Sequence, residues 1–165
     1  MSKAFTKDEG EGSTEAPALP LGPPLPLGAK NYVTPAGAAA LRARLAEAQL
    51  ALEQARASGD AGRASLAQQR LDFLAERSAK LEEVRAPATA DGPVRFGATV
   101  RTRDENGNER SVRIVGIDEA DAGRGLVSWT SPLARALLGH LTGDEVRVQT
   151  PQGTVTLEVI EIAYE

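Results

Sequence analysis

The sequence predicts an α+β protein: an N-terminal antiparallel helical hairpin, then a small, mostly antiparallel β-sheet domain with one short helix. Three observations predict it. Apolar residues recur at spacings of four and three from Leu41 to Ala55 and again from Ala67 to Leu81, the seam of a coiled coil. A glycine-bearing break, Ser58-Gly59-Asp60-Ala61-Gly62, separates the two runs. After Gly92 the period changes from helical to alternating, with turn residues between the runs.

The first 31 residues read as a disordered, proline-rich tail. The run Leu19 to Gly28 holds four prolines and two glycines. Each proline removes a backbone donor and fixes φ, so neither helix nor central strand forms there. The bland reading, a linker, is favoured over a proline-rich docking ligand.

Residues 32–86 form the hairpin. Thr34-Pro35 is a helix cap followed by proline at the first helical position. Leu41, Leu45, Ala48, Leu52 and Ala55 make the first seam, and Ala67, Leu71, Leu74, Ser78 and Leu81 the second. Two arms of roughly 22 residues, each about 33 Å long, run antiparallel because the loop between them is so short. Glu53, Arg56, Arg63, Arg70, Asp72, Glu76, Arg77 and Lys80 fill the outer faces as solvated charges.

After a linker, residues 92–165 form the second domain. Val94, Phe96, Ala98 and Val100 start a strand that ends at Arg101-Thr102-Arg103. Asn106-Gly107 turns the chain, since Asn-Gly suits the positive φ of a hairpin turn. Val112 to Gly116 and Leu126 to Trp129 are the next strands. Ser131-Pro132 caps a short helix, Leu133 to Leu138, stopped by Gly139. Val146 to Thr150 and the long run Val155 to Ile162 complete five strands. The last run is apolar on both faces, which predicts a central strand.

Composition removes several function classes. The chain has no cysteine and one histidine, His140, so thiolate chemistry, disulfides and a histidine-rich metal site are excluded. Aromatics are 4% of the chain, too few for a stacking platform. The net charge is −4, whereas a sequence-independent DNA binder carries a basic excess. Hairpin residues 34–85 carry eight basic and seven acidic groups, residues 86–165 eight and twelve. No run approaches the ~18–20 apolar residues of a membrane span. A cytoplasmic protein is expected, acting as a monomer, without membrane attachment, cofactor or sequence-specific nucleic-acid contact.

The acids Asp104/Glu105, Asp118/Glu119/Asp121 and Asp144/Glu145 lie in predicted turns. A catalytic carboxylate pair needs a dry site to split its pKa values, so these read as solvated turn residues. His140 has no evident partner. Asp60 stands at the hairpin tip, where turn propensity alone accounts for it.

The residues then become recognisable. FGATV at 96–100, RIVGIDEAD at 113–121, SPLARALLG at 131–139 and TPQGTVTLEVIEIAY at 150–164 resemble the C-terminal domain of the Gre-type transcription elongation factors. MSKAFTK at the start and NYVTPAG at 31–37 resemble GreB-type sequences. The resemblance implies an FKBP-like C-terminal domain beside the coiled coil. It also implies binding to bacterial RNA polymerase at the rim of its secondary channel. In the family, acids at the coil tip help hold a magnesium ion at the polymerase centre, which then hydrolyses backtracked RNA.

This chain departs from that pattern. The family tip has Gly-Asp and then Glu three positions later. Here Gly59-Asp60 is kept, but Arg63 stands in the second place. The arms look shorter by about seven residues each, roughly 10 Å of reach. Ser131 and Pro132 match the family's docking loop and Arg135 matches too, while Thr130 replaces an acid or amide. The expectation is a shortened-coil, GreB-like or Rnk-like regulator that occupies the channel and stimulates cleavage weakly or not at all. It would not be an enzyme by itself. The alternatives are a true cleavage factor using Asp60, or a prolyl isomerase, for whose aromatic cradle the domain offers only Phe96, Trp129 and Tyr164, with core packing expected to claim Phe96.

Overall fold

The computed structural model describes residues 22–164; the expectation for residues 1–21 lies outside them. Strand β1, Asn31–Val33, leads into helix α1, Pro35–Ala57, and then α2, Ala61–Ala79. Thr34 caps α1: its hydroxyl accepts from Gly37 N at 3.1 Å, and Pro35 occupies the first turn. Gly59 has φ +72° and reverses the chain. Asp60 then caps α2 by accepting from Arg63 N at 2.9 Å. Helix lengths of 23 and 19 residues give arms of about 35 and 28 Å.

The second arm ends earlier than its sequence suggests. Leu81–Glu83 is strand β2, and it pairs in parallel with β1, Asn31 opposite Leu81. Asn31, assigned to the tail, is therefore the first residue of the folded hairpin base. Leu81 continues the seam spacing, but it packs against the hairpin core as a strand residue. Leu41, Ala48 and Leu74 form that core. Arg77, read as a solvated charge, is buried with 3% of its side chain exposed.

The C-terminal domain is a five-stranded sheet in the order β5-β4-β3-β7-β6. Its strands are β3 Thr99–Asp104, β4 Glu109–Val115, β5 Leu126–Ser128, β6 Glu145–Thr150 and β7 Gly153–Ala163, with α3, Pro132–Leu137, between β5 and β6. Only β4 and β5 pair in parallel; the other neighbours are antiparallel. Two single 3₁₀ turns, Ile117–Glu119 and Ala122–Arg124, connect them. Val94 and Ala98 are buried as expected but precede β3 rather than forming it. At the β3–β4 turn, the Asp104 carboxylate accepts from Asn106 N and Asn108 N, both at 2.9 Å, and from Asn108 Nδ2. Those bonds, the Asn108 side chain's above all, hold its pKa below the usual carboxylate value.

β7 is central, between β3 and β6, yet its two faces are not both apolar in the expected way. The register shifts from Arg101 opposite Glu161 to Thr102 opposite Val159. Ile160 is the extra residue of this β-bulge. The bulge turns both Val159 and Ile162 into the core and both Glu158 and Glu161 outward, to Arg103 and Arg101. Ile114, Val100, Val159, Ala134 and Leu137, all fully buried, anchor that core between sheet and α3.

Candidate functional site

Three places carry polar groups worth weighing: the hairpin tip, the loop before α3, and the joint between hairpin and C-terminal domain. The tip holds one carboxylate, and it is already engaged. Besides capping α2, Asp60 pairs through Oδ2 with Arg63 Nε at 3.6 Å. Both side chains are exposed. No group of three or more potential metal ligands occurs among the described residues. A carboxylate that accepts a backbone N–H and faces a guanidinium is a poor cation ligand, because the cation must displace a like charge.

In the loop before α3 the two hydroxyls are turned inward. Thr130 Oγ1 lies 2.7 Å from Ser128 Oγ, which also accepts from Thr130 N at 3.2 Å. Ser131 Oγ accepts from Ala134 N at 3.1 Å and caps α3. Pro132 and Arg135 are exposed. Arg135 has no ion-pair partner among the described residues. The loop therefore presents one proline ring and one free guanidinium on a short capped helix. The structure brings Thr130, Ser131, Pro132 and Arg135 together. It places Asp60 and Arg63 apart from them, at the far end of the hairpin.

The joint is where sequence reasoning failed. Asp118 and Glu119, read as solvated turn acids, bind the hairpin base. Glu119 accepts from Thr34 N at 3.0 Å, from the Thr34 hydroxyl, and from Gly116 N at 2.9 Å. Asp118 accepts from Asn31 Nδ2 at 3.1 Å and pairs with Arg77 at 3.7 Å. Arg77 also lies 4.8 Å from the Phe73 ring centroid, a cation–π contact. Tyr32 meets Trp129 edge-on, with centroids 5.6 Å apart, which ties β1 to the residue before Thr130. The signal for Arg77 was its place three residues after Leu74, on the seam side of α2. The one signal for Asp118 and Glu119 was their place in the motif RIVGIDEAD at 113–121; as turn acids alone they carry none.

Two glycines permit this closeness. A Cβ at Gly116 would lie 2.5 Å from the Tyr32 carbonyl oxygen, and one at Gly37 would overlap the Glu119 carboxyl group. Because the first clash is with backbone, Gly116→Ala is expected to destabilise the fold by about 1–3 kcal/mol in urea denaturation.

One other expectation is corrected. His140 has a partner: Nδ1 lies 3.3 Å from Asp144 Oδ2, and Leu141 N donates to the same oxygen at 2.8 Å. The backbone N–H, then the histidine, hold the Asp144 pKa below its ordinary value. The aromatics do not form a proline cradle. Phe96 packs on the core, Trp129 faces Tyr32, and the Tyr164 hydroxyl accepts from Arg95 N and donates to the Pro93 carbonyl. The open groove between sheet and α3, about 490 Å³, is lined by residues such as Thr102, Leu133, Val148 and Leu157, with no aromatic among them.

Comparison with known proteins then bears on the whole. Residues 89–164 match the family model described as transcription elongation factor, GreA/GreB, C-terminal. Transcription elongation factor GreB of Neisseria meningitidis serogroup B is 35% identical over 160 residues, spanning 82% of this chain and 94% of that protein. Transcription elongation factor GreA of Jannaschia sp. strain CCS1 is 47% identical over 90 residues, which is 54% of this chain and 58% of that protein. The solved GreA/GreB structure from Nitrosomonas europaea is 25% identical, with a TM-score of 0.42, covering 82% of this chain and all of that one. No helix among the described residues is long and apolar enough to cross a membrane.

Proposed function

We propose that this chain, which belongs to the GreA/GreB family of transcription elongation factors, binds RNA polymerase without stimulating transcript cleavage. The C-terminal domain would dock at the rim of the secondary channel through Pro132 and Arg135, with Thr130 and Ser131 shaping the loop. The hairpin would enter the channel. One observation carries the absence of cleavage. The single tip carboxylate, Asp60, is committed to capping α2 and faces Arg63. Metal-assisted hydrolysis needs a free carboxylate to complete the polymerase's ion site, held to ångström accuracy. Asp60, capping α2 and facing Arg63 on arms of about 28 and 35 Å, brings no net negative charge and no second carboxylate. The protein then acts by occupancy: it regulates elongation and competes with cleavage-competent relatives for one docking surface.

The test uses backtracked elongation complexes with magnesium. The protein alone is expected to leave RNA length unchanged, and to slow shortening by an authentic cleavage factor as its concentration rises. Shortening by the protein alone, abolished in Asp60→Ala, would instead establish a weak cleavage factor. Absence of any effect in both modes would remove polymerase as the target. Asp60→Ala has a separate structural readout, a loss of about 1 kcal/mol from the lost helix cap.

A further inference from the structure

We infer that residues 22–30 form a clamp that closes over the joint and fixes the angle between the hairpin and the C-terminal domain. The two ends of this proline-rich segment meet at one residue, Arg77. At the first end the Pro23 carbonyl accepts from the Arg77 guanidinium. At the second, Asn31 Nδ2 donates both to the Arg77 backbone carbonyl at 3.3 Å and to Asp118 Oδ2 at 3.1 Å. Lys30 pairs with Glu82 beside it, and Asn31 N donates to the Lys80 carbonyl at 2.7 Å. Between the ends, Ala29 N donates to the Pro26 carbonyl at 3.0 Å, and Gly28 at φ +73° makes the reversal. A short surface loop whose ends meet is an Ω-loop, a compact unit rather than a linker.

The chemistry explains why the loop closes there. The Arg77 guanidinium is buried, and Asp118 alone reaches it only at 3.7 Å. A buried cation with spare donors is costly unless acceptors are brought to it. The Pro23 carbonyl is such an acceptor, and neither Pro23 nor Pro24 has an N–H that could draw this stretch into a helix or ladder. Pro23, Pro24 and Pro26 restrict the open chain, so closing it costs less entropy. The segment lies beside both bodies: Pro23 bonds Arg77 of the hairpin, and a Cβ at Gly22 would stand 3.8 Å from Asp118 Oδ1 of the C-terminal domain. Gly22 and Pro23 help wall a crevice of about 340 Å³ together with Leu41, Phe73 and Leu74 of the hairpin and Ile117 of the C-terminal domain.

The chain lacks cysteine, so a spin-label pair at Gln54→Cys and Gln152→Cys reports the angle in the full-length protein without background. With residues 23–28 replaced by a Gly-Ser stretch of equal length, the distance distribution is expected to broaden about twofold or more. The same replacement of residues 15–20 is expected to leave it unchanged. An unchanged width in the first variant, or equal broadening in the second, overturns the clamp. If the first variant fails to fold by circular dichroism, amide exchange in the unaltered chain decides. The Ala29 amide is expected to exchange at least about tenfold more slowly than an unstructured amide; exchange at the unstructured rate overturns the proposal.

Discussion

Arg77→Ala is expected to lose about 3–5 kcal/mol of stability, the range for stranding one partner of a buried ion pair. For a chain of this length that is a fall of about 6–20 °C in Tm, read by calorimetry. Three losses combine. Asp118, whose side chain is only 13% exposed, would lose the guanidinium beside it. The Phe73 ring would lose its stacked cation, and the Pro23 carbonyl its donor. The electrostatic part is separable from the packing part. In an Arg77→Ala/Asp118→Asn double variant no charge is stranded, and the oxygen of the introduced amide can still accept from Asn31. The double variant is expected to be more stable than the sum of the single effects predicts by about 1–3 kcal/mol. Strict additivity would mean that Arg77 acts through volume alone.

That experiment concerns the part of the molecule least legible in the sequence. The hairpin could be read because its information is local: seam spacing, the Thr34-Pro35 cap and the Gly59 turn each lie within a few residues. The five C-terminal strands and α3 were legible for the same reason. The joint was not. Asp118 and Glu119 find partners 87 and 85 residues away in sequence, and an acid in a turn looks the same whether it faces water or a buried arginine. Strands β1 and β2 have three residues each, too few to show a period of two. In β7 the bulge at Ile160 gave apolar residues apparently on both faces. The central position inferred from that pattern is the observed one, but a shifted register produced the pattern.

The legible and illegible parts meet at the loop before α3. Tyr32 of the hairpin base packs on Trp129, and Trp129 N donates to the Val115 carbonyl at 2.9 Å, one residue before Gly116. The Glu119 network and the loop before α3 therefore share a support. Disturbing the joint would move the loop and the hairpin together, so polymerase-binding defects in joint variants must be judged against their stability.

Arg135→Glu avoids that ambiguity. Arg135 is exposed on α3, has no ion-pair partner among the described residues, and is flanked by the buried anchors Ala134 and Leu137, which its replacement leaves alone. Its removal is expected to change stability by no more than about 0.5 kcal/mol. If the proposed docking through Arg135 holds, affinity for polymerase is expected to fall about 30-fold or more, because the substitution reverses the charge at the interface. Ser131→Ala should show the opposite balance. Its hydroxyl is spent on Ala134 N, so about 1 kcal/mol of stability is lost with the cap, and affinity falls only as far as α3 frays. Titration of labelled protein against core polymerase, run beside thermal melts, separates the two. If Ser131→Ala weakens binding as much as Arg135→Glu while both remain folded, the hydroxyl itself contacts the polymerase, and the loop must open its internal bond on docking. If neither variant weakens it, the docking surface lies elsewhere on the domain, and the charged outer face of the sheet around Arg101 and Arg103 becomes the next place to substitute.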